Sequence, residues 1–569
     1  VCLAPAVAGA GRTPADRLAT AAVEKLLHRG PDGYGVVGDG GSAVAMCRLR
    51  VRSRASDTVP FAAPAGATAF AFNGEVYATG SGAWYGEGRV DVPLGGLDEA
   101  QGVDGHGPDA LDGMYALLRR TPDGAIEVTR DPLGIKPLYL LRHRDGVAVA
   151  SEIPALLELF GPSPVRPEAV TQFLMFGRVV DGGTFFEGIE PVAPGTRLLL
   201  KEGRVQQWST GSAALPPVRP DTPAGPERIR AALARAVDRV LVSDRPLGLA
   251  LSGGLDSTVL ATELARRGVR DLSTVSVLPR GNGDGVRDLA ALRLPGTSWQ
   301  SWRHRSIDFG PDDLLDGIPD AVRSLGEPTA LSSVPMYAAL ARLARESGIV
   351  VLLVGEGADE MFGGYRSYLG LGARADAADF YLSEERSALL RGLVGVPAHD
   401  AARDALLDAL PAAAGRPVDD VVREFEYEHS LEPLLRRADH LLMAQGVEGR
   451  TPFLHGGLPA LAASLPFGEL VRDGQTKVAL RQAYATELPH FLDEVKKPFR
   501  APLDDWLTGP RAARVRAGLA GHRDRLEAAG LRPDALGGLL DGIAAGDATA
   551  TGLAFPLLTL GAWLEWLAA

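Results

Sequence analysis

Apolar and polar positions alternate in short runs over the first two hundred residues. "TAFAFNGEVY" (68–77), "AIEVTR" (125–130), "LYLLRH" (138–143) and "GVAVASE" (146–152) read as strands, broken by Gly, Pro, Asn and Asp. This texture predicts an antiparallel sheet protein with a few helices. It ends at "TGSAALPPVRPDTPAGPE" (210–227), a Pro-, Ser-, Thr- and Gly-dense stretch that reads as a linker. Beyond it "ERIRAALARAVDRVL" has amphipathic helical spacing. "PLGLALS" (246–252) and "IVVLLV" (349–354) look like buried strands running into glycine-rich turns and helices, which predicts a parallel α/β unit. Residues 280–300 read as a loop plus one helix. The expected division is a first domain over 1–207, a linker over 208–227 and a second domain over 228–569. No internal repeat is evident.

Composition narrows the class. An apolar share of 46% and a charged share of 23% in 569 residues fit a folded protein of two or three domains. A net charge of −12 argues against non-specific nucleic-acid binding. The apolar runs are strand-sized, and no signal peptide is recognised at the N-terminus, so neither membrane insertion nor export is expected. Cys2 and Cys47, the two cysteines, support neither a disulfide framework nor a cysteine zinc site. The expectation is a cytoplasmic enzyme with free thiols.

The strongest chemical signal is "LGLALSGGLDSTVLATELARRG". A strand ending at Leu251 meets Ser252, Gly253 and Gly254, which turn without Cβ bulk and let backbone N–H groups approach an anion. A helix expected from near Ser257 points its positive end at the same place. The motif lacks the Lys-Ser/Thr ending of the Walker loop, so a pyrophosphate cradle fits better than γ-phosphoryl transfer. Asp256 inside such a loop makes sense if it holds a divalent cation. "IVVLLVGEGADEMFGGY" sets Gly355, Glu356, Asp359 and Glu360 just past a second strand end, where open parallel sheets bind ligands. Asp359 is the second candidate metal ligand and Glu356 the candidate general base. "TKVALRQAY" places Lys477 and Arg481 one helical turn apart, as cations for charge developing on a phosphate.

With these motifs in order, the chain resembles the glutamine-hydrolysing asparagine synthetases along nearly its whole length. The matching segments include "HRGPDGYG" (28–35), Arg48-Leu49, "FNGEVY" (72–77), "RDPLGIKPLY" (130–139), "ASEIPALL" (150–157), SGGLDS (252–257), GEGADE (355–360), "VEGRTPFLH" (447–455) and "TKVALR" (476–481). The resemblance implies an α/β and α+β protein: an N-terminal αββα Ntn-hydrolase sandwich, the class II glutamine amidotransferase, joined to an adenine-nucleotide α-hydrolase-like (PP-loop) domain. It implies that Cys2 is the nucleophile. Val1 would then stand for a GTG start, translated as methionine and removed. The free α-amine, with a reference pKa near ~8, would take the thiol proton. Arg48 corresponds to the residue that pairs with the glutamine carboxylate. Asn73 and Gly74 correspond to the oxyanion hole, and Glu75 and Asp91 to glutamine-binding residues. In the second domain the implied nucleotide site is Leu251, Ser252, Gly253, Gly254, Asp256, Ser257, Gly355 and Lys477. Asp256 and Asp359 are the implied metal ligands, with Glu356 and Lys477 serving proton transfer and the adenylate phosphates. ATP and Mg2+ are the implied cofactors; glutamine and a carboxylic acid are the partners, and a homodimer is left open.

The sequence departs from the family at several points. Leu3 replaces the usual Gly after the nucleophile, and the segment before Asp91 is shortened. Val354 stands for Ser before the GEG motif, and His455 for Asp after PFL. "KKPFRAP" (496–502) replaces a Gly-Phe-Gly-Val-Pro-like run, and Asp284 is the nearest carboxylate left after "TVSV". The expected reaction is glutamine- and ATP-dependent amide formation through an acyl-adenylate, with aspartate or a specialised acid as substrate. An intramolecular cyclase of the β-lactam synthetase or lasso-peptide cyclase type is the alternative. A scaffold that keeps only the fold has no reason to hold both charged sites. The changes at His455 and 496–502 are expected to alter the acid pocket if those side chains point inward; His455 by itself reads as a core or surface histidine rather than a ligand.

Overall fold

In the computed structural model the alternating segments of the first half pair into two antiparallel sheets. The structure describes residues 2–8, 13–51, 59–61, 69–79, 111–161, 163–210, 225–280, 286–371, 374, 376–413, 415–492, 499–508 and 511–569. The first sheet has the order β2-β3-β1-β8-β7-β9, from Tyr34–Gly38, Ser42–Cys47, Cys2–Ala8, Gly146–Ala150, Tyr139–His143 and Ile189–Pro191. The second runs β11-β10-β6-β5-β4, from Arg204–Thr210, Thr196–Lys201, Ile126–Arg130, Leu111–Arg120 and Ala69–Thr79. Their inner faces supply one core, in which Val44, Met46, Phe70, Phe72, Tyr115, Leu140 and Val149 are buried. Helices Ala15–Glu24 and Ile153–Phe160 cover the outer face of the first sheet. Three layers of the expected sandwich are thus seen among the described residues.

The second half is built on a parallel sheet of order β14-β13-β12-β15-β16, from Arg303–Phe309, Ser273–Pro279, Leu247–Ala250, Val351–Leu353 and Glu448–Arg450. The chain leaves β12 toward β13 on one side and returns to β15 on the other. The order therefore reverses between β12 and β15, where such sheets open a crevice at their carboxyl ends. Leu249 pairs with Leu353, so the two motif-bearing turns emerge side by side.

Two local expectations are corrected. The helix after β12 begins at Leu255 rather than near Ser257, because Gly253, at φ +82°, completes the turn in one step. The segment 280–300 carries two 3-10 turns, Leu289–Leu292 and Ser298–Ser301, instead of one helix. Arg293 in the left-handed region, Pro295 and Gly296 separate them. A third correction concerns length: helix Ala548–Ala568 is long and apolar enough to cross a membrane by length and composition. It is apolar on most sides because it is packed inside the protein; Trp563 is fully buried, touches Phe185 of the N-terminal half, and donates to the Gly326 carbonyl at 2.9 Å.

The halves are joined by buried ion pairs. Arg29 donates to Glu152 at 2.7 Å and to Asp439 at 2.6 Å, and Lys136 reaches Asp439 at 3.1 Å. Beside them His440 lies edge-on to Tyr139. Burial holds the His440 imidazole down to about 4, so it is neutral in the folded protein. An unfolded chain protonates it near ~6.5. Its contribution to stability is therefore complete above that pH and is lost as pH falls toward 4. Denaturant melts should show a loss of about 2–3 kcal/mol from this group between pH 7.5 and 4.5. His440→Gln should flatten that slope, and an unchanged slope would refute the assignment.

Candidate active sites

The crevice between β12 and β15 collects the phosphate-loop residues. Gly254 caps the helix Leu255–Arg266, and the Ser257 hydroxyl donates to the Gly254 carbonyl at 3.1 Å and lies 3.1 Å from the Ser252 hydroxyl. Asp256 lies in the first turn, and a Cβ on Gly355 would come within 3.3 Å of its Cβ, so the two loops are in close apposition. Lys477 joins them. Its Nζ lies 2.5 Å from Asp256 Oδ1 and 2.6 Å from Asp359 Oδ1, with only 2% of its side chain exposed. Burial pulls this ammonium below its ordinary range, opposed by Asp256. Lys477 occupies the left-handed region, φ 56°, just ahead of helix Val478–Ala483. Arg481 turns away from the crevice and donates to the Thr476 carbonyl at 2.7 Å and to that of Phe491, bracing the turn that carries Lys477.

Gly364 is fitted against this triad. A Cβ there would lie 1.7 Å from Asp359 Oδ1 and 2.3 Å from Lys477 Cε. Gly364→Ala should displace the charged groups and cost about a hundredfold in any reaction at the loop, with the N-terminal site unaffected. Pyrophosphate release assays check this, and an unimpaired variant would refute the tight fit.

Glu356 faces the other side of the crevice. Arg437, from helix Leu431–Met443, donates to Glu356 Oε1 at 2.6 Å and to the Ser333 hydroxyl at 2.5 Å, and lies over the Tyr337 ring at 4.7 Å. Tyr337 in turn meets Phe499 edge-on. Glu360 is buried, and desolvation raises its carboxyl to about 7 while Tyr365 donates to it. Arg437 carries no sequence signal, because its partner lies 81 residues away.

His455 does not enter this crevice, which corrects the expected effect on the acid pocket. Its ring is buried between the two halves, with Nδ1 3.0 Å from Asp112 Oδ1 and its plane nearly perpendicular to the Tyr77 ring, centroids 4.8 Å apart. The turn after β16 meets the start of β5 there, and Arg239 closes on the same carboxylate. Phe499 is the part of "KKPFRAP" seen to reach the Glu356 neighbourhood; Lys496, Lys497 and Pro498 lie outside the described residues, as does Asp284.

In the N-terminal sandwich, the backbone of Cys2 begins β1 opposite Cys47, the residue immediately before Arg48. The Cys2 side chain and Asp91 lie outside the described residues. The Cys47 thiol is buried and donates to the Leu26 carbonyl at 3.1 Å. Asn73 on β4 is buried, and neither atom of its carboxamide has a hydrogen-bond partner among the described residues. Such an orphan is costly unless a ligand uses it. Gly74 has φ +129°, and a Cβ there would strike the Met114 carbonyl, so no other residue fits. Arg48 is buried with its guanidinium over Phe61. Glu75 lies 3.1 Å from Arg450, which also donates to Glu448 at 2.8 Å, so this motif is tied to the second half.

Comparison with known proteins matches both halves of the chain. Residues 228–565 match the asparagine synthase family, and residues 3–81 and 99–209 match the glutamine amidotransferase domain. The chain is 26% identical over 545 residues to glutamine-hydrolyzing asparagine synthetase 1 of Bacillus subtilis strain 168, covering 85% of this chain and 84% of that protein. It is 30% identical over 369 residues to glutamine-hydrolyzing asparagine synthetase 1 of Arabidopsis thaliana, covering 60% and 56%. Among solved structures it matches glutamine phosphoribosylpyrophosphate amidotransferase from B. subtilis at 14% identity and a TM-score of 0.25, covering 54% and 81%.

Proposed function

Since the chain belongs to the asparagine synthase family, with a glutamine amidotransferase domain preceding the synthase domain, we propose that it adenylates a carboxylic acid with ATP and converts it to the amide with nitrogen from glutamine. The observation that carries this reading is the Lys477 ammonium bound by Asp256 and Asp359 at the mouth of a glycine-rich anion loop.

In the sandwich, Cys2 attacks the glutamine side-chain amide after losing its proton to the α-amine. The Asn73 carboxamide N–H and the Gly74 backbone N–H take the negative charge on the tetrahedral oxygen, which accounts for the orphaned amide. Arg48 holds the glutamine carboxylate by a guanidinium fork. Ammonia leaves as the thioester forms, water then hydrolyses the thioester to release glutamate and restore the Cys2 thiol, and the ammonia passes to the crevice.

There the backbone of Ser252–Gly254 and the positive end of helix Leu255–Arg266 bind the phosphates of ATP. Lys477 meets the charge that builds as the acid attacks the α-phosphate and pyrophosphate departs. Asp256 and Asp359 are the residues that would hold Mg2+; two carboxylates completed by substrate phosphates suit that ion, which neutralises pyrophosphate when bound. Glu356 takes a proton as ammonia adds to the acyl-adenylate, and AMP leaves. Equal amounts of glutamate, AMP and amide from glutamine, ATP and an acid test the reading. ADP and phosphate as products would exclude it.

A further inference from the structure

The two halves enclose a cavity of about 390 Å3 that neither site description uses. Phe173 and Phe185 of the N-terminal half and Leu325, Leu331 and Val334 of the second line it. At one end it meets Arg437, whose other side holds Glu356 at 2.6 Å. The cavity therefore begins where the acid must be activated. A passage for ammonia needs only water-sized room, roughly 30 Å3 at a time. The volume here is instead that of an organic ligand pocket, roughly 300–1,000 Å3.

Several of the charges around it are paired. Arg178 pairs with Glu426, and Arg436 with Glu327. Nearby His429 is held neutral near pH 7 by burial and by Arg178. Arg130, Glu428 and Glu432 add polar groups to the lining, and its apolar residues give an occupant walls to cover. A four-carbon diacid such as aspartate covers few of them. Phe499, at one of the substituted positions, packs edge-on against Tyr337, which lies beneath Arg437.

We propose that this cavity seats the body of the acid substrate, a carboxylic acid with an apolar, aromatic-sized body, its carboxylate presented at Arg437 and Glu356. The proposal rests on the adenylation reading above. ATP–pyrophosphate exchange with the full chain tests it, using aspartate, 3-phenylpropionate, indole-3-acetate and hexanoate as probes. At least one apolar-bodied acid should exceed aspartate tenfold in kcat/KM. Leu331→Trp, which fills the cavity, should lower that exchange at least tenfold and leave glutamine hydrolysis unchanged. Should this variant also lose glutaminase, Val334→Ala serves instead, and it should raise KM for the apolar acid roughly tenfold by lost packing. Aspartate as the best acid, or apolar-acid exchange indifferent to both variants, would overturn the proposal and leave amide formation standing. Exchange with no acid at all, aspartate included, would overturn the adenylation reading itself.

Discussion

Lys477→Met is expected to reduce ATP-dependent synthesis by roughly a thousandfold or more while glutamine hydrolysis continues. Two effects combine. The variant removes the only cation seen to bridge Asp256 and Asp359 among the described residues. It also takes from those two carboxylates their ammonium partner beside the incoming phosphates, and like charges at short range repel strongly where water is scarce. Lys477→Arg should not rescue the loss. The site is nearly closed, and Gly364 and Asp359 already crowd the lysine Cε region. Nucleotide analysis by chromatography, with ammonium as nitrogen source, measures the step apart from glutamine. Synthesis within tenfold of wild type would remove Lys477 from the mechanism.

Cys2→Ala is expected to lower glutamine-dependent amide formation by roughly ten-thousandfold or more, and to leave ammonium-dependent formation near wild type. The separation follows from the architecture. Cys2 begins a strand of the antiparallel sandwich, whereas Asp256, Glu356 and Lys477 belong to the parallel-sheet domain. The domains meet through Arg29, Glu152 and Asp439 and through Glu75 and Arg450, none of which the substitution touches. Equal loss with both nitrogen sources would contradict this division. Mass spectrometry of the mature N-terminus is a companion check, since a residue retained before Cys2 would exclude the amine as base.

What could be read in advance was chemistry encoded locally. Ser252 to Ser257 needs its glycines and its Asp within six residues, and the turn forms wherever that run follows a buried strand. Asn73 and Gly74 were reached only through the family resemblance, since the sequence shows neither the glycine's φ of +129° nor the unpaired carboxamide. Arg437, Asp439 and Arg450 were not legible, although they are as buried as any site residue. Their partners Glu356, Arg29 and Glu75 are brought to them by tertiary packing, and nothing in "LLRRADH" separates an inward arginine from a solvated one. His455 shows the opposite error. Its neighbours in sequence lead to the crevice, but its ring is claimed by Asp112, 343 residues earlier. Helix Ala548–Ala568 was passed over because a helix buried on most sides has no amphipathic stripe to find.

The central claim is that one chain activates a carboxylate by adenylation and aminates it with glutamine nitrogen. The direct measurement supplies an accepted acid labelled with 18O in its carboxylate, together with glutamine labelled with 15N in its side-chain amide. Mass spectrometry should find one 18O transferred to AMP and 15N in the product amide. Unlabelled AMP, or ADP with labelled phosphate, would contradict the account.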